Sequence, residues 1–164
     1  MSGLSNYLIM ISIGQPAPDF TLFDSAKNQV SLHSLKGKKV ILLFFPFAFS
    51  STCTKELCYV RDNLSQFNNI DAEVLGISVD SLYTLAKFKE DQGFQFTLLS
   101  DFNKEVSRLY NAIYEDWNYN MKGVSKRASF VIDRKGIVQY AQVLVNAGDL
   151  PDFEVIQASL SAIN

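Results

Sequence analysis

Runs of apolar residues divide the chain into segments of strand length and helix length. The run KKVILLFFPF, from Lys38 to Phe47, is apolar without alternation, which is typical of a strand covered on both faces. Pro46 ends it, and Ala72–Asp80 (AEVLGISVD) repeats the pattern. Between the two runs we predict a helix over residues 51–68, because apolar residues recur on one face at spacings of three, four and three: Leu57, Val60, Leu64 and Phe67.

The remaining segments predict a β-hairpin at the start and a second hairpin with a helix at the end. Two short strands, Asp19–Asp24 and Gln29–Leu35, flank the turn residues SAKN. A helix over Ser81–Gly93, a strand TLLSD and a helix NKEVSRLYNA follow the second buried run. A hairpin across Arg127–Val145 and a helix near Pro151 complete the chain. We therefore predict an α/β fold of thioredoxin-like order, a single domain whose mixed central sheet is flanked by helices and preceded by the N-terminal hairpin.

Length and charge exclude several classes of function. A chain of 164 residues fits one domain. A formal net charge of -2 gives no basic footprint for nucleic acid and no polybasic patch for a membrane surface. No apolar run reaches the roughly 18 residues of a membrane span. We expect neither nucleic acid nor a membrane as a partner.

The N-terminal segment carries a seven-residue apolar run, Tyr7–Ile13, that lacks the basic region and the cleavage site of a signal peptide. The run is either an edge strand or part of an extension over residues 1–9, in which case Met10 is a second candidate start beside Met1 and the domain covers 10–164. Without a signal the expected location is the cytoplasm. Two nearby cysteines in that reducing compartment indicate chemistry or metal binding rather than a structural disulfide.

Both cysteines of the chain fall in the stretch FFPFAFSSTCTKELC. Cys53 lies in the first turn of the predicted helix, for which Ser50, Ser51 and Thr52 are candidate N-caps. Unpaired backbone N–H groups and the positive end of the helix dipole favour a thiolate there, and the thiolate is the nucleophilic form. Open α/β sheets also bind their ligands at the carboxyl ends of strands. These features favour a reactive thiol over the alternative of a buried structural cysteine.

Cys58 lies beside the apolar stripe of the helix rather than on it, so packing does not explain it. A second thiol near a reactive one can capture the oxidised form as a disulfide. A zinc site is the other interpretation, but zinc needs four ligands. The chain adds only His33, which we expect at the surface at the end of a strand. We predict no metal and no cofactor.

The residues around Cys53 resemble the peroxiredoxin signature P-x-x-x-[T/S]-x-x-C, with Pro46, Ser50 and Cys53 in the three fixed places. Serine stands where threonine is commoner, which keeps the hydroxyl and loses a methyl group. CTKELC resembles the bacterioferritin-comigratory (Q-type) peroxiredoxins, which carry a resolving cysteine five positions after the peroxidatic one. LAKFKEDQGFQFTLLSD and GVSKRASFVID are more similar to the one-cysteine AhpE-like members. The resemblance covers nearly the whole chain from Ile13.

The resemblance also implies partners for the sulfur of the peroxidatic cysteine. The family's arginine before the penultimate strand matches Arg127, and its neighbour Lys126 is expected to face away because adjacent strand residues point to opposite faces. The resemblance implies that the Ser50 hydroxyl and the Cys53 backbone N–H hold the peroxide, and that Pro46 shields the sulfur.

Glu56 matches a common family position and is expected to orient the arginine. The alternative is a first-turn glutamate favoured by the helix dipole. Three aromatic residues are candidates for an apolar collar around the site, with at least one of them expected in the ordinary core: Phe45, Phe47 and Phe49.

Together these features predict a thiol peroxidase that reduces hydrogen peroxide and organic hydroperoxides through a Cys53 sulfenic acid. Cys58 resolves it as an intramolecular disulfide, and a thioredoxin-like dithiol reduces that disulfide. On an ideal helix, residues i and i+5 have Cα atoms roughly 8–9 Å apart, beyond the ~7 Å that a disulfide spans, so the helix must unwind first.

Two alternatives remain: a one-cysteine peroxidase recycled by external thiols, and a peroxide-sensing relay without efficient turnover. Both a monomer and a homodimer fit the resemblance.

Overall fold

The computed structural model describes residues 11–164. The predicted extension over residues 1–9 and the candidate start at Met10 lie outside the described residues. Of the apolar run that was expected either as an edge strand or as part of the extension, only Ile11–Ile13 is described, and these three residues form no strand. Within residues 11–164, none of the helices combines the length and the apolar character that crossing a membrane requires.

The described part of the chain alternates strands and helices and then ends in a hairpin and a helix, as predicted. Its strands are β1 (Thr21–Asp24), β2 (Gln29–Ser31), β3 (Lys39–Phe44), β4 (Ala72–Ser78), β5 (Thr97–Ser100), β6 (Ile113–Trp117), β7 (Met121–Ser125), β8 (Ala128–Ile132) and β9 (Val138–Val143). Its α-helices are α1 (Ser51–Asp62), α2 (Leu64–Asn68), α3 (Leu82–Gln92), α4 (Glu105–Leu109) and α5 (Phe153–Ser161).

Seven of these strands form one mixed sheet in the order β2-β1-β5-β4-β3-β8-β9. Strand β3 lies parallel to β4 and antiparallel to β8, and β8 pairs antiparallel with β9. This arrangement confirms the predicted thioredoxin-like α/β architecture. Because β3 is flanked on both sides and covered on both faces, all six of its residues are buried, as its continuous apolar sequence predicts.

Two hydrophobic cores occupy the two faces of the sheet, and alternate residues of β3 enter each one. Ile41 and Leu43 join a core that α1, α2, α3 and α5 complete, whereas Leu42 and Phe44 join a core with α4. The predicted apolar stripe of α1 and α2 lies in the first core, with Leu64 at its margin. The helix that carries Cys53 is therefore held against the sheet by its apolar face.

The helix predicted over residues 51–68 is broken at Asn63, so the prediction of one continuous helix was wrong. Asn63 has non-helical dihedral angles, φ -115° and ψ 14°, and its side-chain amide donates to the Tyr59 carbonyl at 2.8 Å. An asparagine side chain that bonds to nearby backbone competes with the helical hydrogen-bond pattern. Helix α1 therefore ends at Asp62, and the short α2 begins again at Leu64.

Other predicted elements are present with shifted ends, and one hairpin was not predicted. Helix α3 is capped by Ser81, whose hydroxyl accepts from the Thr84 N–H, and by Gly93 in the left-handed region at φ 68°. The second strand of the first hairpin ends at Ser31, and a 3₁₀ helix follows at His33–Leu35. Strands β6 and β7 pair with each other in a separate two-stranded sheet and lie in a segment that carried no prediction.

Candidate active site

Cys53 is the third residue of α1 and lies where the chain leaves the carboxyl end of β3, as predicted. Its side chain is fully buried in the core beneath α1 and is a free thiol. Ser50 occupies the N-cap position with extended backbone, φ -72° and ψ 151°. Its hydroxyl makes no cap bond to the helix and donates instead to the Phe47 carbonyl at 2.8 Å. The Ser50 side chain therefore accepts no hydrogen bond from the first-turn N–H groups of α1.

Arg127 brings a permanent positive charge to the sulfur. Its Nη2 donates to Cys53 Sγ at 3.3 Å, although 74 residues separate the two in sequence. The strand pairing explains the contact, because Ala128 at the start of β8 pairs with Phe44 at the end of β3. Residue 127 therefore stands beside the point where the chain turns from β3 towards α1. Lys126 places its Nζ 5.3 Å from the centre of the Tyr114 ring instead.

The guanidinium of Arg127 is fixed by groups from two segments of the chain, α1 and the loop after β9. Nη1 donates to Glu56 Oε2 on α1, while Nε and Nη2 donate to the Ala147 carbonyl at 3.2 and 2.9 Å. The Leu144 N–H donates to the Arg127 carbonyl at 2.9 Å, so the loop after β9 holds the residue by its backbone as well. Burial acts to lower the pKa of Arg127, but the neighbouring Glu56 and Cys53 together raise that pKa. The arginine is thus a fixed cation.

Glu56 is fully buried beside Arg127, in the second turn of α1. The alternative of a first-turn glutamate was therefore wrong, and the predicted contact with the arginine is present. Burial raises the pKa of this carboxyl to about 7, against the lowering effect of the Arg127 charge and hydrogen bond. Among the described residues, Glu56 Oε1 has no hydrogen-bond partner.

The loop between β3 and α1 carries the other residues of the signature. Pro46, two residues after the end of β3, is buried, whereas Ser50 is exposed. In the described structure no hydrogen bond joins the Ser50 hydroxyl to Cys53. Phe45 belongs to the core, as expected for at least one of the three aromatic residues. Phe49 is 50% exposed, its ring lies 5.0 Å from that of Phe88, and its φ is 67°.

Cys58 lies one and a half turns beyond Cys53 on the same helix, and both are free thiols. Its partly buried Sγ donates to Gln92 Oε1, at the end of α3, across 3.5 Å. Arg61 Nη1 donates to the Gln92 carbonyl at 2.7 Å, and the Tyr59 ring stacks on Phe153 of α5 with centroids 4.2 Å apart. The second half of α1 is therefore tied to two other helices.

Among the described residues, no three His, Cys, Asp or Glu side chains lie close enough together to hold a metal ion. His33 is exposed in the 3₁₀ helix after β2, as expected for a surface residue. Sequence reasoning missed two contacts around the site, the Ala147 carbonyl that accepts from Arg127 and the carboxylate of Asp80, which accepts from the Ala48 N–H at 2.7 Å. The sequence gives no sign of a backbone carbonyl as a partner, and Asp80 was expected only at the end of a strand or at the start of the helix that follows.

Comparison with known proteins gives a consistent result. The AhpC/TSA family profile matches residues 13–141. Alkyl hydroperoxide reductase E from Mycobacterium tuberculosis is 38% identical over 157 residues, which cover 94% of this chain and 99% of the relative. Among solved structures, peroxidoxin BcpB from Mycobacterium tuberculosis superposes with a TM-score of 0.83 at 29% identity, over 94% of this chain and 99% of that one. A mutant of PrxQ from Xylella fastidiosa superposes with a TM-score of 0.82 at 26% identity, over 93% of this chain and 96% of that one.

Proposed function

The chain belongs to the AhpC/TSA family of peroxiredoxins and is a thiol-dependent peroxidase, and from this premise we propose that Cys53 is the peroxidatic residue and Cys58 the resolving one. The substrates are hydrogen peroxide and organic hydroperoxides, and the final reductant is a thioredoxin-like dithiol. The observation that carries the proposal is the 3.3 Å contact between Arg127 Nη2 and Cys53 Sγ at the start of α1.

The first step is attack of the Cys53 thiolate on one peroxide oxygen. A sulfur–oxygen bond forms, the oxygen–oxygen bond breaks, and the departing oxygen takes up a proton to leave as water or an alcohol. Sulfur is oxidised to the sulfenic acid and the peroxide is reduced. Negative charge moves from sulfur to the departing oxygen, and the Arg127 fork can donate to both, which is how a fixed donor lowers such a barrier.

The loop from Pro46 to Ser50 supplies the rest of the peroxide site. Pro46 has no N–H to donate and is buried, and we assign it the role of shielding the Cys53 sulfur. The Ser50 hydroxyl, which donates to the Phe47 carbonyl at 2.8 Å, is exposed at the N-cap position of α1. We assign it the role of a donor to the bound peroxide, together with the Cys53 N–H.

Resolution requires Cys58 to attack the sulfenic sulfur, which releases water and forms a disulfide. Residues i and i+5 of an intact helix are too far apart for that bond, so the first turns of α1 must unwind. The cost is substantial because Leu57, between the two cysteines, is fully buried. Withdrawing a leucine side chain from a core costs roughly 1.5–3 kcal/mol. The disulfide then passes to a dithiol reductant and α1 reforms.

The cellular location that we propose is the cytoplasm. Both cysteines are free thiols in the structure, and the reaction cycle needs a compartment in which a dithiol returns the disulfide to that state.

Steady-state peroxide consumption with a thioredoxin and its reductase tests the proposal on wild type, Cys53→Ser and Cys58→Ser. We expect Cys53→Ser to retain at most about one per cent of the activity, because a serine hydroxyl at neutral pH is almost wholly protonated. Cys58→Ser should react once with peroxide and then stall with this reductant. Full turnover of Cys58→Ser with small thiols and with thioredoxin alike would favour the one-cysteine alternative. A single equivalent of peroxide consumed by wild type would favour the relay.

A further inference from the structure

Asp80 reaches from the end of β4 to the loop that precedes Cys53. Its Oδ2 accepts the Ala48 N–H at 2.7 Å and the Ser78 hydroxyl at 2.7 Å. Ala48 lies in the middle of the segment from Pro46 to Ser50, and Asp80 lies two residues beyond the end of β4. One carboxylate oxygen thus ties the loop to the sheet.

Asp80 is itself held in place, so it can act as a fixed point. Its own N–H donates to the Ser78 hydroxyl at 3.2 Å, and its carbonyl accepts the Ser100 hydroxyl at 2.6 Å. The side chain is half-buried, and burial raises the pKa of the carboxyl while the bonds from Ala48 and Ser78 lower it. A half-buried carboxylate stays ionised only where hydrogen bonds compensate for the hydration that it has lost.

The strand register explains why Asp80 meets this loop. Phe44 of β3 pairs in parallel with Ile77 of β4, and the Phe45 N–H donates to the Ile77 carbonyl at 3.0 Å. The two strands therefore end together, and the chain beyond each emerges at the same edge of the sheet. The Phe45 N–H thus attaches the chain to β4, and the Ala48 N–H attaches it a second time, through Asp80, before the chain reaches Phe49 and α1.

We propose that Asp80 is a positioning residue for peroxide reduction, one that fixes the loop from Pro46 to Ser50 over the Cys53 sulfur. The proposal rests on the proposed function, since it assigns the loop the task of holding the peroxide. With Ala48 anchored, Phe49 and Ser50 have little freedom to shift, and the Ser50 hydroxyl stays in reach of the bound peroxide. Asp80 touches neither the sulfur nor the peroxide.

The test separates alignment of the peroxide from reactivity of the thiolate. Asp80→Ala and Asp80→Asn are made in the Cys58→Ser background, where Cys53 reacts once. Two second-order rate constants are measured for each, oxidation of Cys53 by hydrogen peroxide and alkylation of Cys53 by iodoacetamide. Alkylation needs the thiolate and an open approach but no alignment of a peroxide. Asp133→Ala is the matched control, because Asp133 accepts the Lys135 and Ile137 N–H groups in a turn on the β8–β9 hairpin.

We expect Asp80→Ala to lower the peroxide rate constant by roughly tenfold to a hundredfold, since a small displacement of an aligned group costs on that order. The alkylation rate constant should stay within about threefold, a change small beside the effect of lost alignment. Asp80→Asn should restore most of the peroxide rate, because its amide oxygen can still accept the Ala48 N–H. Amide exchange over residues 47–50 should be faster in Asp80→Ala than in Asp80→Asn or Asp133→Ala.

An unchanged peroxide rate in Asp80→Ala, an equal fall in both rate constants, or an Asp80→Asn variant as slow as Asp80→Ala would overturn the proposal. Where the alanine variant fails to fold, Asp80→Ser takes its place, because its shorter hydroxyl does not reach the Ala48 N–H, and Asp80→Asn remains the variant that keeps the acceptor. If the Cys58→Ser parent does not react with peroxide at Cys53, the proposed function is wrong, and the positioning role falls with it. If the parent reacts and only the Asp80 comparison fails, the positioning role alone is wrong.

Discussion

Glu56 Oε2 accepts a hydrogen bond from Arg127 Nη1 at a point where both side chains are withdrawn from solvent, at 0% and 1% exposure. The same guanidinium donates to Cys53 Sγ, so one positive charge serves a carboxylate and a sulfur. Removing one member of a buried ion pair leaves the other uncompensated, which typically costs about 3–5 kcal/mol. Protonation of Glu56 would therefore remove the carboxylate charge that attracts Arg127, so that the guanidinium charge acts mainly on the Cys53 sulfur.

Glu56 should make the stability of the protein depend on pH near neutrality. Its pKa in the folded protein is about 7, above the ordinary value of 4.5. The folded state thus binds this proton more tightly than the unfolded chain. The resulting stabilisation is complete below pH 4.5 and is lost as the pH rises through 7, and amounts to about 3 kcal/mol at most.

Chemical denaturation of wild type and Glu56→Gln between pH 4.5 and 8 measures this contribution, because the amide does not titrate. We expect the free energy of unfolding of wild type, relative to Glu56→Gln, to fall as the pH rises across that range. Parallel pH profiles for the two proteins would show that Glu56 does not titrate there.

Arg127→Lys should slow peroxide reduction although the charge is kept. An ammonium group cannot donate at once to Cys53, Glu56 and the Ala147 carbonyl as the planar fork does. We expect the second-order rate constant for peroxide to fall between about tenfold and a thousandfold, the range for losing one or two aimed donors. Lys126→Ala, which removes the neighbouring cation above Tyr114, should react at nearly the wild-type rate. A slow Lys126→Ala variant beside an unimpaired Arg127→Lys variant would mean that Lys126, and not Arg127, is the residue that acts on Cys53.

Oxidation should unwind α1 around residues 51–58. In the reduced protein the helix is intact over residues 51–62 with both thiols free. After one equivalent of peroxide, amide exchange should become faster over residues 51–58, and the N–H groups of Arg61 and Asp62 should lose protection too, because their helical acceptors are the carbonyls of residues 57 and 58. A disulfide-bonded form with unchanged exchange in α1 would contradict the account, and so would a disulfide that forms only between molecules.

Arg61→Ala should speed formation of the disulfide. The variant loses the 2.7 Å bond from Nη1 to the Gln92 carbonyl, which holds α1 to α3 one turn beyond Cys58. Loss of about 1 kcal/mol of hydrogen-bond energy would raise the population of the opened helix about fivefold. Rapid-quench counting of free thiols after one equivalent of peroxide measures the rate.

Arg108→Ala is the control for that measurement, because Arg61 pairs with Asp62 at the surface and Arg108 forms a similar surface ion pair with Glu115, away from α1. It should leave disulfide formation unchanged. An Arg61→Ala variant that forms the disulfide no faster than Arg108→Ala would show that this contact does not limit opening.

The start of α1 was predictable from sequence because its chemistry is local. A buried strand, a proline and a cysteine at a helix start lie within ten residues of one another, and Cys53 is where that pattern places it. The contact with Arg127 depends on the pairing of β8 with β3, so only the family resemblance suggested it. The break at Asn63 depends on one side-chain bond to the backbone, and the β6–β7 hairpin is half-exposed and lacks the apolar alternation that identifies strands.

The left-handed backbone of Phe49 links the shape of the resting loop to the reduction potential of the disulfide. At φ 67° a bulky residue carries roughly 1 kcal/mol of strain, which the reduced protein holds immediately before α1. If the loop relaxes when α1 opens, that strain is present in the dithiol form and absent from the disulfide form. The disulfide is then harder to reduce by about 20 mV. Glycine at this position would shift the midpoint potential upward by the same amount and make the oxidised enzyme easier for a dithiol donor to recycle.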